Sequence, residues 1–182
     1  MLLTYGHGTE SAERTAATLA GAGVASLVDI RTAPGSRRNP QFARAALEEW
    51  LPRAGIGYRW DKRLGGFRKP SAGNPDTAWR EDMFRGYAEH MRSAGFVEAL
   101  DAVLAEAALA EAGEHQVAVM CSESLWWRCH RRLVADFAAA ARGVEVRHLM
   151  HDGRTEPHRL SDGLRLRDDG LLVYDAGQPT LL

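Results

Sequence analysis

The chain has 182 residues, 45% hydrophobic and 26% charged, a balance that suits one globular domain able to bury a core without disulfide staples. Its formal net charge of −1 excludes whole-molecule attraction to nucleic acid or to an anionic membrane, so any anion site has to be local. Two cysteines, no basic leader ahead of Leu2-Leu3-Thr4-Tyr5 and no apolar run near the ~18 residues of a membrane span favour a cytoplasmic protein with reduced thiols and no membrane partner.

In chain order, Leu2–Tyr5 predicts a first strand that ends in the turn Gly6-His7-Gly8. Apolar residues at 12, 16, 19 and 20 predict a helix over 11–22. Val24–Ile30 is an apolar run with little alternation, as in a strand buried on both faces. It leads into Arg31-Thr32-Ala33-Pro34-Gly35-Ser36-Arg37-Arg38, a stretch dense in turn residues. A second helix is predicted over 42–51 and a third strand over 56–60. Residues 61–78, with Gly65-Gly66 and prolines at 70 and 75, form a long irregular stretch of the kind that carries function. Helices follow over 80–93 and 95–112, then a buried strand over 116–120. A helix over 127–142, closed by Gly143, precedes a fifth strand over 144–149. Asp168-Asp169-Gly170 between two short apolar segments predicts a small C-terminal hairpin.

This alternation predicts a single α/β domain over 1–182, with a mainly parallel central sheet of about five strands and helices on both faces. Sites in such sheets form beyond the carboxyl ends of the strands. Those ends lead into Gly6-His7-Gly8, Arg31–Arg38 and Cys121–Arg131, three segments far apart in sequence that the topology sends to one rim.

The third segment offers the richest chemistry. Cys121 stands at the tip of a buried strand, ahead of a short loop and a predicted helix start at Trp127-Arg128-Cys129-His130-Arg131. Free backbone N–H groups, the helix dipole and nearby arginines would all favour a thiolate there. Glu123 is a candidate general base or arginine partner, and His130 a candidate proton carrier. Candidate substrate-binding residues are His7, Arg31, Ser36, Arg37, Gly65, Gly66, Arg68, Trp126, Trp127, Cys129 and Arg131. The arginines would grip phosphate or carboxylate through their planar forks, and the paired glycines would let backbone approach a ligand. Each also has a structural reading: Cys121 as packing, Cys129 as a structural or resolving thiol, and Arg31 as a brace for Asp29. His7 and His130 read equally well as ordinary turn and helix-surface residues, and the tryptophans as core. No metal and no cofactor is expected, because Cys-x7-Cys-His, even with His148 or His151, matches no common structural zinc spacing.

The sequence resembles the bacterial domain-of-unknown-function 488 family over nearly its whole length. The resemblance is carried by Thr4-Tyr5-Gly6-His7, by Leu27-Val28-Asp29-Ile30-Arg31 with Ser36-Arg37, and by Asn39-Pro40-Gln41-Phe42. It continues through Leu64-Gly65-Gly66 with Arg68 and Phe84-Arg85-Gly86-Tyr87-Ala88. The most specific piece is Met120-Cys121-Ser122-Glu123 followed by Trp126-Trp127-Arg128-Cys129-His130-Arg131-Arg132. Gly8 departs from the family pattern, which commonly has Ser there. The resemblance implies the fold and the place of the site but no reaction.

Two functions fit these residues. One is a cysteine-centred enzyme acting on a small anionic substrate bearing phosphate, sulfur or carboxylate. The other is a nucleotide or nucleic-acid binding protein with an Arg- and aromatic-lined pocket. A structural protein would leave the polar rim without purpose. The sequence does not specify an oligomeric state.

Overall fold

The computed structural model describes residues 1–35 and 37–175. Strand β1 (Leu2–Gly6) leads to helix α1 (Ala12–Gly21), then β2 (Val24–Asp29), α2 (Arg44–Arg53) and β3 (Gly57–Trp60). Helices α3 (Asp82–His90) and α4 (Ala94–Ala112) precede β4 (Gln116–Cys121), α5 (Arg131–Asp136) and β5 (Val146–Leu149). Three short strands, β6 (Thr155–Pro157), β7 (Leu164–Leu166) and β8 (Leu172–Tyr174), complete the described chain. Serines cap the starts of α1 and α4: Ser11 accepts from the Arg14 N–H, and Ser93 from that of Phe96.

The main sheet has the order β3-β2-β4-β1-β5-β6, and all of its pairings are parallel except β5 with β6. Strand β6 is the addition to the five expected. It pairs antiparallel with β5 through only three residues, two of them exposed, so the sequence carries no apolar run to mark it. Strands β7 and β8 form the expected separate hairpin.

Alternation along the strands sorts the core into two layers. Leu3, Tyr5, Ala118 and Met120 face Leu19, Leu47 and Leu51 of α1 and α2. Leu2, Val117, Val119 and Cys121 face the layer of α3, α4 and α5, with Phe96, Leu100, Leu133 and Phe137. Each such aliphatic or aromatic side chain contributes about 1.5–3 kcal/mol when removed from water. Cys121 therefore points to the α5 side because it is two and four residues on from Val119 and Val117.

The expected helix over 127–142 begins later than its pattern suggests. Trp126–Arg128 makes a single 3-10 turn, Cys129 is extended (φ −124°, ψ 149°), and α5 starts at Arg131 before passing into a π-helical turn at Phe137–Ala141. The reason is tertiary: His130 reaches back to bond the Ile30 carbonyl, which holds residues 129 and 130 against the strand tips. Residues 61–78 are held by side chains rather than by regular pairing. Tyr87 donates to the Leu64 carbonyl, Glu89 accepts from Ser71 N and Asn74, and buried Asp76 pairs with Arg92.

Candidate functional site

The carboxyl ends of β1, β2 and β4 are stitched together beyond the sheet. His7 N donates to the Cys121 carbonyl, Gly8 N to that of Ser122, and Ile30 N to that of Met120, each at 3.0 Å. The three segments that the sequence places on one rim thus share a floor, and Cys121 lies at its centre.

Beside Cys121 stand Cys129 and His130, all three buried. His130 Nε2 lies 3.0 Å from the Ile30 carbonyl oxygen, an acceptor only, so this nitrogen carries the proton. Its Nδ1 then presents a lone pair, 3.7 Å from Cys121 Sγ and 3.6 Å from Cys129 Sγ. A hydrogen bond from Cys129 is the largest influence on Cys121. Together with the neighbouring imidazole of His130 and the charge of Arg131, it holds that thiol well below its ordinary pKa against the cost of burial. Burial, and then the bond to Cys121, pushes Cys129 well above its ordinary value. Of the two thiols, Cys121 is therefore the one that gives up its proton more readily. Gly66 closes this cluster from the opposite side: a Cβ there would stand 2.9 Å from His130 Nδ1.

A cleft of about 510 Å³ opens over the cluster. Cys121, Glu123, Cys129, His130, His7, Arg31 and Gly66 line it, joined by Gly8, Thr32, Asn39, Phe67, Met83, Ser122 and Arg128. His7 is a neutral group here. Its Nδ1 donates to the Gly8 carbonyl, its Nε2 accepts from Arg31 Nη1 at 3.2 Å, and its ring stacks on Phe42 with centroids 4.0 Å apart. Burial and the Arg31 charge lower its pKa to about 4. Arg31 is mostly a brace: Nε and Nη2 bond buried Asp29, and Nη2 also bonds the Phe42 carbonyl, which leaves Nη1 nearest the cleft. Glu123 accepts from Leu125 N and so shapes the loop it stands on.

Other candidates lie elsewhere. Arg131 is buried with its guanidinium on the carbonyls of Glu123 and Ser124, where it props the loop instead of meeting a ligand. Trp126 stacks flat on His148, centroids 4.0 Å apart, and Trp127 packs edge-on against Trp126; neither lines the cleft. The 3-10 turn that replaces the expected helix start leaves the Trp126 ring against His148 of β5 and Trp127 partly exposed beside it. Arg37 is exposed and off the cleft wall. Gly65 lies beneath, against Thr32, and Arg68 lines a neighbouring depression with Phe67 and Met83. Ser36 falls outside the described residues.

Sequence reasoning missed Phe67 and a second buried cluster. Phe67 is 83% exposed on the lip of the cleft and has a left-handed backbone (φ 57°), a conformation that β-carbon residues rarely adopt. Its only sequence signal was its place after Gly65-Gly66. In the second cluster Thr4 Oγ1 is 2.7 Å from His148 Nδ1, His148 Nε2 is 3.0 Å from His158 Nδ1, and His158 Nε2 is 2.9 Å from Asp136. Ser161 and Tyr174 also donate to Asp136. A lone acid in Leu133-Val134-Ala135-Asp136-Phe137-Ala138 was the available hint.

A group of at least three potential metal ligands also exists here: the donor atoms of Cys121, Cys129 and His130 lie within 4.8 Å of one another. His148 and His151 are not part of it, since His148 is enclosed in the second cluster and His151 Nε2 bonds the Gly6 carbonyl at 2.6 Å. Among the described residues no helix is long and apolar enough to cross a membrane. A family model described as Domain of unknown function DUF488 matches residues 11–138, a span that holds Arg31, Gly66, Cys121, Cys129 and His130. No curated protein and no solved structure matches the chain.

Proposed function

The chain belongs to the DUF488 family, and from its cleft we propose that the protein is a cysteine-centred enzyme acting on a small anionic substrate. One observation carries this reading. The lone pair of His130 Nδ1 faces Cys121 Sγ at 3.7 Å with its tautomer fixed by Ile30, at the floor of an open cleft. A nucleophile beside an oriented base is the arrangement that activates a thiol.

In the proposed reaction the Cys121 proton passes to His130 Nδ1, and the thiolate attacks an electrophilic atom of the substrate. A bond forms from Sγ to that atom, and the bond to the leaving group breaks with its electron pair. The imidazolium returns its proton to the leaving group. Water or an acceptor nucleophile then displaces Cys121, its proton going to His130. Arg128 on the cleft wall and Arg31 Nη1 supply positive charge for the substrate anion, while Cys129 stabilises the thiolate by its hydrogen bond. Phe67 favours a nucleotide as one such anion, because an exposed ring on the lip offers a base a stacking face.

Paired alkylation rates test this. Iodoacetate and iodoacetamide attack the same thiolate, but only the first carries negative charge. Cys121 in chelator-treated protein is expected to react faster than glutathione at neutral pH, and to favour iodoacetate more than glutathione does. Both preferences should vanish in Cys121→Ser. A Cys121 slower than glutathione with both reagents would remove the nucleophile, and an unchanged ratio would remove the anion.

A further inference from the structure

We infer that Cys121, Cys129 and His130 also form a binding site for one zinc-class divalent cation, with three protein ligands and a fourth position open to the cleft. The inference concerns the regulation of the centre proposed above, and rests on that reading only for the consequence of occupancy. Zinc binds thiolate at about 2.3 Å and imidazole at about 2.0–2.1 Å, so a tetrahedral site separates sulfur from nitrogen by about 3.6 Å. The two separations here are 3.7 and 3.6 Å, with all three donor atoms within 4.8 Å of one another. The two sulfur–nitrogen edges of a face that such an ion would cap are already in place.

The surroundings fit a metal ligand set as well. A ligating histidine ordinarily gives its other ring N–H to a carboxylate or backbone carbonyl, which fixes the ring and the tautomer. His130 does this through Nε2 and the Ile30 carbonyl, so the nitrogen turned to the sulfurs is the one with a lone pair. Two sulfurs and an imidazole select a soft or borderline ion over magnesium or calcium. All three residues line the cleft, so the fourth position faces solvent and can take water or a small anion. The spacing in sequence concealed this site. Cys-x7-Cys-His matches no common structural zinc spacing, and the extended backbone at Cys129 is not one that the expected helix over 127–142 would give.

Binding involves no redox step. The cation sheds water, accepts electron pairs from two sulfurs and Nδ1, and each thiol still protonated releases its proton to solvent. An ion in this place occupies the lone pairs that make Cys121 a nucleophile, so metal and thiolate chemistry exclude each other.

Cobalt(II), added to chelator-treated full-length protein, tests the site by its spectrum. The expected result is one-to-one binding with thiolate-to-cobalt charge-transfer bands and intense visible bands of tetrahedral coordination. Zinc should bleach them, and iodoacetamide labelling of Cys121 should fall at least tenfold over the same titration. Cys129→Ser and His130→Asn are each expected to weaken cobalt binding at least tenfold, with circular dichroism confirming that they fold. Absence of the charge-transfer bands in the wild-type protein would overturn the inference, as would unchanged affinity in a folded Cys129→Ser variant. Labelling of Cys121 without any metal reports separately on the nucleophile. Cobalt bound with a sluggish Cys121 would keep the metal site and remove the enzyme reading, whereas a fast Cys121 with no cobalt would do the reverse.

Discussion

On β5, His148 is enclosed; beyond the tip of β4, His130 is also buried, yet its ring faces two sulfurs and a cleft. The first histidine belongs to a chain in which each polar atom meets a matching partner: Thr4 to His148, His148 to His158, His158 to Asp136, with Ser161 and Tyr174 completing the acid's shell. Trp126 covers its face. The second meets thiols, which are weak hydrogen-bond partners and strong nucleophiles. Buried polar networks that are fully satisfied fix a fold. Groups whose strongest chemistry is left unused, and that open to solvent, are the ones available for function. Burial of a histidine therefore decides nothing by itself; its partners and its access do.

The largest expected effect breaks the closed cluster. Asp136→Ala leaves His158, Ser161 and Tyr174 donors without their acceptor, and should lower unfolding stability by about 3–5 kcal/mol. Urea unfolding measures the loss. Protein still folded at low temperature should keep wild-type alkylation of Cys121, because no member of this cluster lines the cleft. A loss of Cys121 reactivity in that folded fraction would show that the two clusters are coupled.

Gly66→Ala acts on the open cluster instead. The new methyl would press on His130 Nδ1 and Cγ at 2.9 and 3.1 Å, so the ring or the loop has to move. A stability cost of about 1–3 kcal/mol is expected, with Cys121 alkylation slowed about tenfold. Wild-type rates in this variant would mean that the Nδ1 contact does not activate the thiol.

A pH series sharpens the contrast from the closed side. Burial, with the neighbouring charges of His158 and Arg131, lowers the pKa of His148 to about 3. The unfolded chain takes up this proton below about pH 6.5 and the folded chain does not, so the unfolded state gains protons first as pH falls. Stability from this group is whole above about 6.5 and is lost as pH falls from there toward 3. Its slope reaches about 1.4 kcal/mol per pH unit. Denaturation midpoints between about pH 7 and pH 4 should fall less steeply in a folded His148→Asn variant.

The smallest effect belongs to Arg128→Ala. This side chain lines the cleft as an exposed cation, so its loss should lower the iodoacetate-to-iodoacetamide ratio at Cys121 by about two- to fivefold and leave stability nearly unchanged. Added salt should shrink the wild-type preference in the same direction.

Much of this protein follows from the sequence alone. The strand–helix alternation determined a mainly parallel sheet, because an apolar strand buried on both faces needs helices on each. The same alternation put His7, Arg31 and Cys121 on one rim, and period-two geometry aimed Cys121 at the layer of Val117 and Val119. Tertiary structure decided the rest. Whether Cys129 lies in a helix or before it depends on the pull of the Ile30 carbonyl on His130, a contact across 100 positions that no local pattern encodes. That contact brings two sulfurs and an imidazole to one point, turns Trp126 toward His148, and makes Arg131 a prop for the loop at Glu123. Local propensity ranks backbone shapes by fractions of a kcal/mol, whereas a buried polar group left without its partner costs about 1–3 kcal/mol. At the cleft, the need of buried polar groups for partners outweighed the helical preference of residues 127–130.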